Sequence, residues 1–214
     1  MTSSVSAVST QTLPCAAPDR RIVRSKLALR TAIIELMEER GLDAFTVNDL
    51  CVRADLNRGT FYNHFKDKEE LLISLEDEVL SDLQVFQSEM KKLTLSEIIK
   101  SERRGEPLPF LISLFDYLRQ QGDFLHAVLG PGGDIRFAPR LRDTVCAHLV
   151  KGILHRRYRE HPTTFTNYYV AFFTSAYLGV IERWIETGMK EQSGEMALIS
   201  MRLLFIKPGD RIDL

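Results

Sequence analysis

"FTVNDLCVRADLNRGTFYNHFKDKEELL" runs from Phe45 to Leu72 and contains three helix starts in quick succession. Thr46 stands three residues ahead of Asp49, the spacing of a capping box, which predicts a short helix to about Ala54. Asp55-Leu56-Asn57 is long enough only for a turn. Asn57 can cap a second short helix through Phe65, and Asp67 a long third one. Within the second of these, Phe61 and Phe65 lie four residues apart and share one face. A helix this short is unstable alone, so the two rings have to hold it against its neighbours. Arg58, Gly59, Thr60, Tyr62, Asn63 and His64 are left for the other sides.

Those leftover groups match what a DNA groove offers. Arginine pairs with guanine, asparagine with adenine and a threonine methyl with thymine, while hydroxyl and imidazole donors suit phosphate. Gly59 allows close backbone approach and puts free N–H groups at a helix start. Two short helices around a tight turn, the second exposed, make a helix-turn-helix.

On these residues the stretch resembles the DNA-binding domain of the tetracycline-repressor (TetR) family of bacterial transcriptional regulators. The preceding "RIVRSKLALRTAIIELMEERGLDAFT" is similar to that family's first helix and glycine-containing bend. The resemblance implies phosphate contacts from Thr46, Tyr62, His64 and Lys68, and base proximity for Arg58, Gly59, Thr60 and Asn63. Arg24 is the best phosphate candidate in the basic run Arg20–Arg30, which carries no acid. Two positions depart from the family pattern: Asp55 replaces a frequent glycine and Asn57 a frequent serine. Both changes are mild, because Asp tolerates left-handed backbone and Asn caps well.

Outward from the motif, helical spacing continues in both directions. Ile22, Leu29, Ile33, Leu36 and Met37 form a stripe ending at Gly41, and Leu71, Leu72, Leu75, Val79, Leu83 and Phe86 form another. Further helices are expected over Leu95–Arg103, Pro107–Gln121, Phe124–Leu129, Pro139–Arg159, Thr163–Met189 and Glu195–Ile206. No alternating strand and no repeat is evident, so the fold class reads as all-α. The expected organisation is a disordered tail over 1–19, a DNA-binding domain over 20–67, an effector-sensing and dimerisation domain over 68–207, and a short tail over 208–214.

The resemblance implies that the second domain senses a small molecule and pairs with its copy. Phe165–Glu191 carries more large apolar residues than one core-facing stripe needs, which independently suggests a partner. Tyr169, Ile181, Trp184, Ile185, Met201 and Phe205 are the dimer candidates, and Phe137, Phe173 and Tyr177 the ligand candidates. This region also resembles a Firmicute branch that includes regulators of dihydroxyacetone kinase operons. The implied function is a homodimeric, ligand-responsive repressor on a palindromic operator. An activator, or a co-regulator whose second domain binds a protein, is the alternative.

Bulk properties set limits on other classes. The 214 residues are 44% hydrophobic and 27% charged with a formal net charge of −1, an ordinary globular balance without a global polycation. Charge is instead local: Glu69–Glu89 is acidic with no Lys or Arg. Cys15, Cys51 and Cys146 lack CxxC spacing, and Cys51 reads as a small buried residue. The histidines 126, 148, 155 and 161 show no ligand pattern, so no metal or cofactor is expected. "LGPGGDIR" lacks the Gly-Lys-Ser/Thr ending of a phosphate loop and reads as a connection between helices. "HRRYRE" (155–160) reads as cations at a helix end. No nucleophile–base pair supports an enzyme. No apolar run reaches the roughly 18 residues that span a bilayer, and the simplest setting is a reducing cytoplasm.

Overall fold

The computed structural model describes residues 20–92, 94–146 and 161–205, all helices and connections with no strand among the described residues. The expected tails, the 155–160 run and most of the helix expected over Pro139–Arg159 lie outside these residues.

Helix α1 (Arg20–Arg40) buries Leu29, Ala32, Ile33, Leu36 and Met37, a 3.6-residue stripe. Ile22, expected in that stripe, is exposed together with Val23 and Leu27, because the first two turns of α1 extend beyond the core. Gly41 ends α1 at φ 81, its N–H donating to the Met37 carbonyl at 2.8 Å. After a 3-10 turn (Leu42–Ala44) come α2 (Val47–Arg53), α3 (Arg58–Tyr62) and α4 (Lys68–Lys92). Asp67 caps α4 as expected, accepting from the Glu70 N–H at 2.8 Å. Leu71, Leu72, Leu75, Val79 and Leu83 are buried on its inner face, with Phe86 half-buried beyond them.

The remaining helices are α5 (Leu95–Arg104), α6 (Pro109–Gln120), α7 (Gly122–Leu129), α8 (Phe137–Leu141), α9 (Thr164–Glu186) and α10 (Ser193–Arg202). A single π turn (Arg142–Cys146) follows α8 directly. α6 packs on α10, and Phe115 meets Trp184 of α9 edge to face at 5.4 Å. α7 lies along α1, where Arg30 stacks over the Phe124 ring at 4.8 Å. One continuous apolar core therefore runs from the motif helices into the C-terminal helices.

The connection between α7 and α8 touches the end of α1 backbone to backbone. The Leu42 N–H donates to the Gly132 carbonyl at 2.7 Å, which docks the 130–134 loop on the end of α1. Gly132 faces Gly41 so tightly that an added Cβ would stand 2.8 Å from the Gly41 Cα. At Gly133 it would stand 2.0 Å from the Val128 carbonyl oxygen. The glycines of "GPGGD" thus serve close backbone contact in a connecting loop. Gly132→Ala should cost about 1–3 kcal/mol in chemical denaturation, and it should strip hydrogen-exchange protection from the Leu42 amide more than from those of Leu50 or Leu72.

Candidate nucleic-acid interface

Both expected caps of the motif form. The Thr46 hydroxyl donates to Asp49 Oδ2 at 2.7 Å and accepts from the Asp49 N–H, while that carboxylate also accepts from the Thr46 N–H at 2.8 Å. The Thr46 hydroxyl, followed by its backbone N–H, holds the Asp49 carboxyl below its ordinary range. Asn57 Oδ1 accepts from the Gly59 N–H at 2.8 Å and starts α3. The turn between the helices requires left-handed backbone at Asp55, φ 52, the position where the family often has glycine.

α3 is shorter than expected, ending at Tyr62, with Asn63 as its C-cap and His64 in the following turn. Its anchor is as expected: Phe61 is 0% exposed and Phe65 6%, their rings 5.8 Å apart. Burial of the Phe61 ring contributes about 1.5–3 kcal/mol, more than five residues of helix supply alone. Arg58, Gly59, Tyr62 and Asn63 are exposed on the opposite side, and Thr60 and His64 are half-buried. The Arg58 guanidinium lies 5.9 Å from the Tyr62 ring, so cation and phenol form one outward surface.

Arg24 and Thr46 are exposed, on α1 and at the start of α2. Lys68 is turned differently from the expectation. Its ammonium donates to the Leu42 and Phe45 carbonyls at 2.7 Å each and lies 4.7 Å from the Phe45 ring. Those bonds tie α4 to the turn before α2 and leave one N–H for any phosphate. Arg53, not singled out in the sequence, clamps α2 to α1 through Glu39 (2.7 and 2.8 Å) and Glu35 (3.0 Å). No short-range spacing signals this contact, because its partners are 14 and 18 residues away. Asn48 and Val52 also lie exposed on α2, beside Thr46. Cys51 is buried, as expected, and burial pushes its thiol up.

The expected dimer residues divide. Ile181, Trp184, Ile185 and Met201 are at most 4% exposed and belong to the protomer's own core, which corrects their assignment to an intermolecular surface. Tyr169 and Phe205 are half-buried. The uncovered rings of α9 are instead Phe165, Tyr168 and Phe172, each more than two-thirds exposed. The expected ligand residues do not share a cavity. Phe137 is fully buried against Phe124, Phe173 stacks with Tyr169 at 4.5 Å, and Tyr177 donates its hydroxyl to the Ser200 carbonyl at 2.7 Å. Only Tyr177 reaches the small cavity between α6, α9 and α10, about 20 Å³ and bordered by Leu111, Phe115 and Val180.

A buried-ring anchor beneath an exposed polar helix defines a helix-turn-helix regulator. Residues 29–75 match bacterial regulatory proteins of the tetR family, and residues 105–205 match a TetR-type transcriptional regulator C-terminal region. The chain belongs to the TetR family of transcriptional regulators. Over 55 residues, 25% of this chain, it is 38% identical to the HTH-type transcriptional regulator YxbF of Bacillus subtilis (strain 168), a match spanning 14% of that protein's length. A TetR regulator from Streptococcus agalactiae 2603V superposes with TM-score 0.55 at 20% identity, over 87% of this chain and 96% of the other. The dihydroxyacetone kinase operon activator DhaS gives 0.53 at 17% identity, over 85% and 94%. FadR of Bacillus subtilis, in complex with stearoyl-CoA, gives 0.56 at 15%, over 83% and 96%. At these identities the structural likeness carries the fold, and DhaS is a distant neighbour.

The Asn57 cap allows a direct check of the motif's local energetics. Asn57→Ala should cost about 1 kcal/mol in thermal or urea unfolding, whereas Asn57→Ser, which restores an oxygen acceptor, should recover most of the loss.

Proposed function

We propose that this protein is a homodimeric, ligand-responsive transcriptional regulator that reads a palindromic operator through Arg58, Gly59, Thr60 and Asn63, with Arg24, Thr46, Tyr62, His64 and the remaining Lys68 donor on the backbone. The single observation supporting it most is the division of α3 into a fully buried Phe61 anchor and an exposed Arg58–Tyr62–Asn63 surface. The DNA-reading unit would comprise 20–67 and the sensing and pairing unit 68–207. Two recognition helices about 34–36 Å apart would occupy successive major grooves. An effector that binds one arrangement more tightly changes that separation and releases the operator. Repression is the family's usual role, and the site of action would be the bacterial cytoplasm.

The pairing surface in this reading is the outer face of α9. Phe165, Tyr168 and Phe172 are followed along it by exposed Ser175, Ala176 and Gly179, an apolar seam narrowing to small residues. A side-chain carbon added at Gly179 meets nothing within 4 Å in the protomer, leaving room for a neighbouring helix. Phe172→Lys should convert the dimer to a monomer in sedimentation at micromolar concentration. The protomer's own unfolding should change little, because that ring lies outside its core.

One observation favours the alternative, in which the protein is an activator or a co-regulator whose second domain binds a protein. DhaS, a distant neighbour and the link to the dihydroxyacetone kinase branch, is described as an activator. The stearoyl-CoA bound by FadR supports an apolar effector in the primary reading; such a molecule would have to part α6, α9 and α10.

The deciding experiment titrates the protein against DNA upstream of its own gene at several salt concentrations, for wild type and Tyr62→Ala. With 6–10 phosphate contacts, wild-type affinity should fall about 10³–10⁵-fold between 50 and 200 mM salt. Tyr62→Ala should weaken binding across related sequences to a similar degree. Absence of binding at low salt, to this fragment and to genomic pools, would overturn the DNA-binding reading.

A further inference from the structure

Where α4 meets α8 and the loop before it, two carboxylates are buried against two partly exposed guanidiniums, and one carboxylate oxygen is left unpaired. Glu76 of α4 is 1% exposed; its Oε2 accepts from Arg140 Nη1 at 2.6 Å, and its Oε1 is buried with no hydrogen-bond partner. Arg140 also pairs with Asp77. Asp134, at the end of the glycine loop, has a 4% exposed side chain and is held by Arg136 through the backbone N–H, Nε and Nη2. The buried carboxylates of Glu76 and Asp134 thus face the guanidiniums of Arg136 and Arg140, and Arg140 is shared with the solvent-exposed Asp77. Among the described residues, Arg140 is the one cation bonded to the Glu76 carboxylate. Arg142 of the π turn pairs with Asp143 at 3.0 Å, Glu69 adds negative charge near Arg136, and Tyr117 of α6 donates to Asp82 further along α4.

We infer that Glu76 is a proton-controlled clasp between α4 and α8: protonated, it lets the junction close, and ionised, it loosens it. An orphaned buried carboxylate oxygen is costly when charged, and neutralising the acid removes that cost while Arg140 keeps Asp77 and Arg136 keeps Asp134. α8 follows directly on the loop whose Gly132 carbonyl is bonded to Leu42, so the hold of Arg140 on α4 is joined through that loop to the DNA-reading unit. Burial first, and the Asp134 charge second, push the Glu76 carboxyl up to about 7 from an ordinary 4.5, against the opposing pull of Arg140 and Arg136. A raised carboxyl takes up a proton on folding, so its stabilisation is complete below about 4.5 and is lost as pH rises through about 7. The switching window therefore lies around neutrality.

The test needs no DNA, and so fails or succeeds independently of the operator reading. In full-length protein with ¹³C-labelled glutamate, the carboxyl signal that disappears in Glu76→Gln should titrate near neutral pH. Between pH 6 and 8 the wild-type melting temperature should fall by about 3–6 °C relative to Glu76→Gln. Exchange of the Leu42 and Asp134 amides, corrected for intrinsic rate, should accelerate over the same interval in wild type and not in Glu76→Gln. A Glu76 midpoint in the ordinary carboxylate range, or equal pH slopes for the two proteins, overturns the proposal. Should Glu76→Gln fold poorly, the wild-type signal assigned through Asp134→Asn, which should lower its midpoint, decides the question; an unmoved midpoint would count against it.

Discussion

Everything this protein presents to its surroundings at α3 depends on one buried ring. A helix of five residues has almost no hydrogen-bonded interior, and nucleation alone disfavours it in water. Phe61 supplies what the backbone cannot, seated without exposure in the shared apolar core beside Phe65. Once the ring is fixed, Arg58, Tyr62 and Asn63 have no remaining freedom about the helix axis and must face outward. The Asn57 cap and the left-handed Asp55 then set where the helix begins and the angle at which the chain enters it. Preorganisation here comes from packing beneath the helix, with little contribution from propensity within it.

Much of this was legible because the governing rules act over three or four residues. The Thr46–Asp49 box, the Asn57 and Asp67 caps and the Phe61/Phe65 face are local patterns, and each forms with the expected partners. What escaped reading depends on distant partners. Arg53 gripping Glu35 and Glu39, Lys68 turning inward to the Leu42 and Phe45 carbonyls, and Gly132 against Gly41 join residues that share no periodicity. Lys68 illustrates the difficulty: a cation at a helix start suits a phosphate equally well whether or not two carbonyls happen to lie below it.

α9 was misread for a different reason. Its apolar residues exceed one core-facing stripe, but a helical stripe carries no label for inside or outside. Tyr177, Ile181, Trp184 and Ile185 lie on one side, and Phe165, Tyr168 and Phe172 on another. Hydrophobicity ranks them alike. The choice is made by what packs opposite: α6 and α10 supply Phe115, Leu111 and Met201, and they cover the former set. Aromatic size pointed to a pocket at Phe137 and Phe173 for the same reason, although each finds its partner in another ring.

α4 is the element that makes the two parts mechanically one. Its first turn holds the 3-10 turn before α2 through Lys68, its inner stripe joins the core that includes Phe61, and its middle meets α8 at Glu76 through Arg140. Because a helix of 25 residues transmits displacement along its axis far more readily than it bends, a shift imposed at Glu76 reaches Lys68 about two turns away. From there it reaches the turn that positions α2, and through the Phe61 core it reaches α3. The glycine loop reports on the same motion from the other side, since the Gly132 carbonyl and the Lys68 ammonium bind opposite ends of the single residue Leu42. Any rearrangement of the C-terminal helices that moves α8 must either break one of these bonds or carry the recognition helix with it.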